Sequence, residues 1–77
     1  MTEQEAIGRT REALERWRSA RVVARENGFQ ALDYQHVHRR LMELDDALMN
    51  LERFAGTSSE ARSLATDVHH AMMGEEA

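Results

Sequence analysis

Residues 34–55 read YQHVHRRLMELDDALMNLERFA, and they decide the fold. Tyr34, Val37, Leu41, Leu44, Leu48, Leu51 and Ala55 follow one another at intervals of 3, 4, 3, 4, 3 and 4 residues. An α-helix brings such positions onto one seam, the pattern of knobs-into-holes packing against another helix. The stretch is expected to form a helix over about 34–55, with Asp33 as N-cap, Leu32 and Val37 as a hydrophobic staple around it, and Gly56 as the stop. Met42 and Met49 lie a heptad apart on a different side, and Ala47 and Phe54 on a third, so this helix is expected to make contacts on more than one face.

Upstream, Ala6, Ile7, Thr10, Ala13, Leu14, Trp17, Ala20, Arg21 and Ala24 recur at helical spacing and cover a stripe of roughly 140°. Thr2 and Glu5 form a capping box, and Asn27-Gly28 supplies a C-terminal stop, which predicts a first helix over 3–26. The alanines in the stripe permit close helix approach, at about 8 Å between axes. Downstream, Ala61, Leu64, Ala65, Val68, Ala71 and Met72 make a third amphipathic stripe. Thr57 with Glu60 is expected to form its capping box and Gly74 to end it, giving a helix over 58–73 and an acidic tail at 75–77. Short connections make consecutive helices antiparallel neighbours. The expected fold is all-α, one domain over residues 1–77: an antiparallel helical hairpin with a shorter third helix, as a three-helix arrangement or a coiled-coil-like hairpin.

Composition narrows the function classes. At 77 residues the core is thin, and without cysteine no disulfide or thiolate metal site can reinforce it. Helix packing or association with another chain has to supply the margin. The polar, acidic start has no secretory character, and no apolar run approaches the ~20 residues needed to span a bilayer. A cytoplasmic chain with no membrane partner is the expectation. The net charge of −4 argues against a generic nucleic-acid binder. Arg9, Arg11, Arg16, Arg18, Arg21 and Arg25 are nearly cancelled by five glutamates on the same helix and are spread around it, so no phosphate-binding stripe is expected.

No reaction is legible. His36 and His38 project about 200° apart on a helix, and His69 and His70 about 100° apart, so neither pair presents the i,i+4 arrangement of a helical metal site. Asp67 and His70 could reach one ion together, but two ligands do not make a site. Asp45, Asp46, Glu43 and Glu52 fall off the seam and are expected to be solvated. No metal, no cofactor and no catalysis are expected. The positions expected to bind a partner are Trp17, Arg21, Tyr34, Met42 and Met49. Aromatic residues and Arg are enriched among interface anchors, and Met adapts to varied surfaces. Arg21 falls inside the apolar stripe, which implies either a snorkelling stem or an acidic group on a partner. Met42 and Met49 could equally be covered by the third helix.

The stretch from Gly28 to Gly56 resembles the small co-chaperones of type III secretion needle proteins. The residues carrying the likeness are Asn27-Gly28, Tyr34-Gln35, Leu44, Ala47, Leu48, Leu51 and Ala55-Gly56. The resemblance covers about two-fifths of the chain, and the third helix is a departure from it. It implies a cytoplasmic helical hairpin that binds a helical-repeat chaperone, the two together keeping the needle subunit unpolymerised. The rival expectation is a homodimer of hairpins forming a four-helix bundle with a regulatory or inhibitory role.

Overall fold

The structure, a computed structural model, describes residues 1–74; the acidic tail expected at 75–77 lies outside the described residues. Three helices form, α1 (Glu3–Glu26), α2 (Ala31–Glu52) and α3 (Ser59–Met72), with no strand among the described residues.

α1 begins as its sequence requires. The Glu5 N–H donates to Thr2 Oγ1 at 3.2 Å, and the Thr2 hydroxyl lies 3.2 Å from the Glu5 carboxylate. It ends in a Schellman arrangement: Phe29 N–H reaches the Ala24 carbonyl (2.8 Å) and Gly28 N–H the Arg25 carbonyl (3.2 Å). Gly28 takes φ +76° there, which costs glycine nothing, and Phe29 follows at φ +56°.

The start of α2 departs from expectation. Its N-cap is Gln30, not Asp33, and the helix is three residues longer at this end. Asp33 is the third helical residue, and its carboxylate reaches back to accept the Gln30 N–H at 2.9 Å and the Asn27 amide at 3.2 Å. Those bonds allow its nearly complete burial, because a carboxylate leaves water readily only when hydrogen-bonded. Leu32 is accordingly 70% exposed, and the expected staple does not form. At the other end α2 stops at Glu52 rather than Ala55. Residues 53–57 form tight turns, with Phe54 N–H on the Leu51 carbonyl (2.9 Å) and Ser58 N–H on that of Phe54 (2.9 Å). Gly56 is not in the left-handed region, so it is not the stop. The cap of α3 is Ser58, whose hydroxyl accepts the Ala61 N–H at 3.2 Å, in place of the expected Thr57–Glu60 box. Gly74, at φ +80°, ends α3 as expected.

The hairpin register is set by Thr10, whose hydroxyl donates to the Ala6 carbonyl (2.8 Å) and lies 3.3 Å from the Ala47 carbonyl of α2. The α1 stripe from Ala6 to Ala24 and the α3 stripe from Ala61 to Met72 are buried or half-buried throughout. They close on Leu44, Leu48 and Leu51 in one core. α3 is not a simple antiparallel neighbour of α2. Its first turn ties to α1 through Arg11–Glu60 (3.0 Å), and its last turn to α2 through His69–Glu52 (3.0 Å). It therefore lies across the base of the hairpin. The seam responds to that placement: Leu44 and Leu51 are fully buried, Val37 and Leu41 half-buried, and Tyr34 exposed.

Candidate protein-binding face

α2 has two apolar sides, and among the described residues only one packs against the other helices. At 100° per residue Met42 projects about 160° from Leu44, directly away from the core. Tyr34, Met42 and Met49 are 61%, 58% and 63% exposed, and helical geometry places them within about 80° of one another. Neither α1 nor α3 covers them, so the methionines are surface and not core beneath the third helix.

Two of the five expected anchors belong elsewhere. Trp17 is 5% exposed and sits in the core, so it cannot anchor a partner in this arrangement. The reason is local: Ala13, Ala20 and Ala24 leave space between the helices that a large indole fills. Its Nε1–H is buried with no acceptor among the described residues. Arg21 lies with its guanidinium 4.6 Å above the Trp17 ring, a cation–π contact. The cation therefore occupies the apolar stripe by capping the indole, and a partner's carboxylate is not needed to account for it.

An exposed apolar group at the hairpin end was not expected. Phe29 packs against Tyr34 with ring centroids 5.7 Å apart, and Leu32, Val22 and Val23 are exposed beside them. Phe29 and Leu32 fall outside every periodic stripe, and the only sequence signal is a pair of large apolar residues flanking a turn.

The ionic groups around the two apolar sides differ. On the core-facing flanks many are paired: Arg11–Glu60, Arg16–Glu12, Arg18–Glu15 and Arg40–Glu43. On the outer face His38, Arg39, Asp45 and Asp46 are exposed, and none of their side chains makes a hydrogen bond or ion pair within the described residues.

A groove of about 610 Å³ runs between α1 and α2, lined by Ala6, Ala13, Ala47 and Met49 with Arg16 and Asp46 at its rim. It brings no nucleophile together with a base. All four histidines are exposed, and no group of three His, Cys, Asp or Glu among the described residues could hold a metal ion. Among the described residues no helix is long and apolar enough to cross a membrane. The chain matches no family model, no curated protein and no solved structure, so function is inferred from its own geometry.

Proposed function

We propose that this protein is a small cytoplasmic helical adaptor, not an enzyme, whose α2 outer face receives an amphipathic helix of a partner protein. The observation that carries the proposal is the second apolar side of α2: Met42 and Met49, with Tyr34 at the end of the seam, stand exposed on a helix whose other side buries Leu44, Leu48 and Leu51. Such a line fits the apolar stripe of another helix, read at helical intervals. Methionines accommodate varied side chains and the tyrosine supplies a rigid anchor. The likeness to needle-protein co-chaperones supports a helical-repeat chaperone as the partner class. α3 is compatible with that role, because it packs on the seam side and leaves the outer face open.

The test is the Met42→Asp/Met49→Asp double variant. Both side chains are exposed, so the variant should keep its circular dichroism spectrum and melt close to wild type. Tagged wild-type and variant chains are purified from the native cell and their co-purifying proteins compared by mass spectrometry. A helical partner present with wild type and lost with the variant supports the proposal. Retention of the same partners by the folded variant refutes it. A second use of this face, pairing with another copy of the chain, is favoured by the pattern of its charges.

A further inference from the structure

The outer face of α2 is self-complementary about Met42. Three and four residues before Met42 stand Arg39 and His38; three and four residues after it stand Asp45 and Asp46. Seven or eight residues away, Tyr34 lies on one side and Met49 on the other. All seven residues are exposed. At 100° per residue Arg39 and Asp46 fall on one flank of the Met42 line, and His38, Asp45, Tyr34 and Met49 on the other. A two-fold axis perpendicular to two antiparallel helices pairs residues on the same flank at opposite heights. The flanks match under that operation. Arg39 meets Asp46 of the second copy, His38 meets Asp45, Tyr34 meets Met49, and Met42 meets itself on the axis. Each contact except the last occurs twice.

We infer that the chain associates with a second copy of itself through an antiparallel α2–α2 contact centred on Met42. The inference rests on the outer face being an interface, and it names the occupant. Two observations favour a second copy over an unrelated helix. Opposite charges stand at matched distances from one point, and a foreign partner has no reason to require that symmetry. Arg39, Asp45 and Asp46, with His38 beside them, make no ion pair within the described residues, whereas many charges elsewhere are satisfied internally.

The charge distribution along the hairpin works in the same sense. Thr10 facing Ala47 places residue 17 opposite about residue 40. Residues 17–40, the end beyond α3, hold five arginines and two carboxylates, a formal +3. The remainder holds five arginines and twelve carboxylates, −7, and the two parts sum to the net −4. Antiparallel pairing about Met42 sets the basic end of each copy beside the acidic body of the other. Parallel pairing would set like beside like.

Light scattering on the purified chain should give twice the 8.9 kDa chain mass, with association weakening as salt is raised. Arg39→Asp should raise the dimer dissociation constant about tenfold or more, because the lost contact is duplicated by symmetry and replaced by like charges. Arg39→Asp combined with Asp46→Arg should recover wild-type association to within about threefold, since the reversed charges again meet across the axis. The chain has no cysteine, so Met42→Cys introduces a single thiol, which a short thiol crosslinker should capture as a dimer. Met73→Cys, exposed at the C-cap of α3, should not be captured. A wild-type chain that stays monomeric overturns the inference, as does a dimer in which Met42→Cys fails to crosslink or the charge reversal fails to restore association. A monomeric chain leaves the adaptor proposal to be judged separately by the Met42→Asp/Met49→Asp comparison.

Discussion

Truncating Leu44 to Ala tests whether one side of α2 holds the molecule together while the other does not. Leu44 is fully buried, with Leu48 and Leu51 on the same helix, Leu14 and Trp17 of α1 and Val68 of α3 in the same core. Removing its isobutyl group loses the transfer free energy of the buried carbons and leaves a cavity that rigid helices fill only in part. The expected cost is about 2–5 kcal/mol. A 77-residue chain has a total stability of about 4–12 kcal/mol, so this one change removes about a sixth of it at the least and can remove most of it. For a chain of this size each kcal/mol moves the midpoint by about 4–8 °C, which predicts a fall of about 8 °C or more. Met42→Ala, on the exposed side two residues away, should stay within about 0.5 kcal/mol. Thermal melts followed at 222 nm, with urea titrations to compare midpoints at constant slope, give both values. Measurement in an Arg39→Asp background keeps self-association from contributing. A Leu44→Ala midpoint within 2 °C of its parent, or a Met42→Ala loss as large as that of Leu44→Ala, would refute the two-sided account of α2.

Three further outcomes are expected. Ser58→Ala should cost about 0.5–2 kcal/mol in urea denaturation by orphaning the Ala61 N–H, whereas Thr57→Ala should stay within about 0.5 kcal/mol; the reverse ranking would place the cap where the sequence pattern first suggests it. Asp33→Ala should cost about 0.5–2 kcal/mol, because the Gln30 N–H and Asn27 amide lose the buried carboxylate that accepts from them, and Asp33→Asn should recover part of that; equal melts for all three chains would contradict the cap geometry. Replacing His36, His38, His69 and His70 by Gln should leave the melt within a few degrees and insensitive to chelator; a wild-type midpoint that a chelator lowers, and the quadruple variant does not show, would reveal a metal.

What could be read from the sequence follows from which features have a periodic cause. The three helices and their buried stripes were legible, because burial against a core imposes a 3.6-residue period that Ala6 to Ala24, Leu44 to Leu51 and Ala61 to Ala71 obey. The ends were less so. Asp33 suits an N-cap, but its carboxylate serves equally well from the third helical position, where it satisfies the N–H of Gln30. Thr57 and Ser58 are adjacent hydroxyls, and only the path of the turn decides which one faces the helix start. The candidate face was half legible. Met42 and Met49 are exposed, as their displacement from the seam implies, whereas Tyr34 is exposed although it heads the seam, and side-chain chemistry cannot tell an indole that anchors a partner from one that fills its own core. For Trp17 the surrounding alanines settle it, because a stripe of small residues needs one large side chain to close the gap.

The open side of α2 follows from the number of helices. A helix with apolar groups about 160° apart needs neighbours on opposite sides to bury both. Three helices supply that only if the two others lie on either side of the one in question and do not touch. Here α1 and α3 do touch, through Arg11 and Glu60, so both lie on the same side of α2. The α3 stripe reinforces the choice. Ala61, Ala65 and Ala71 are small enough to settle against the junction of α1 and α2, with Leu64 and Val68 reaching the core. Placed over Met42 and Met49 instead, α3 would leave Leu48 and Leu51 without cover and lose about 1.5–3 kcal/mol for each leucine returned to water. The thin core therefore claims α3 for the seam, and the methionine side has to be covered, if at all, from outside the chain.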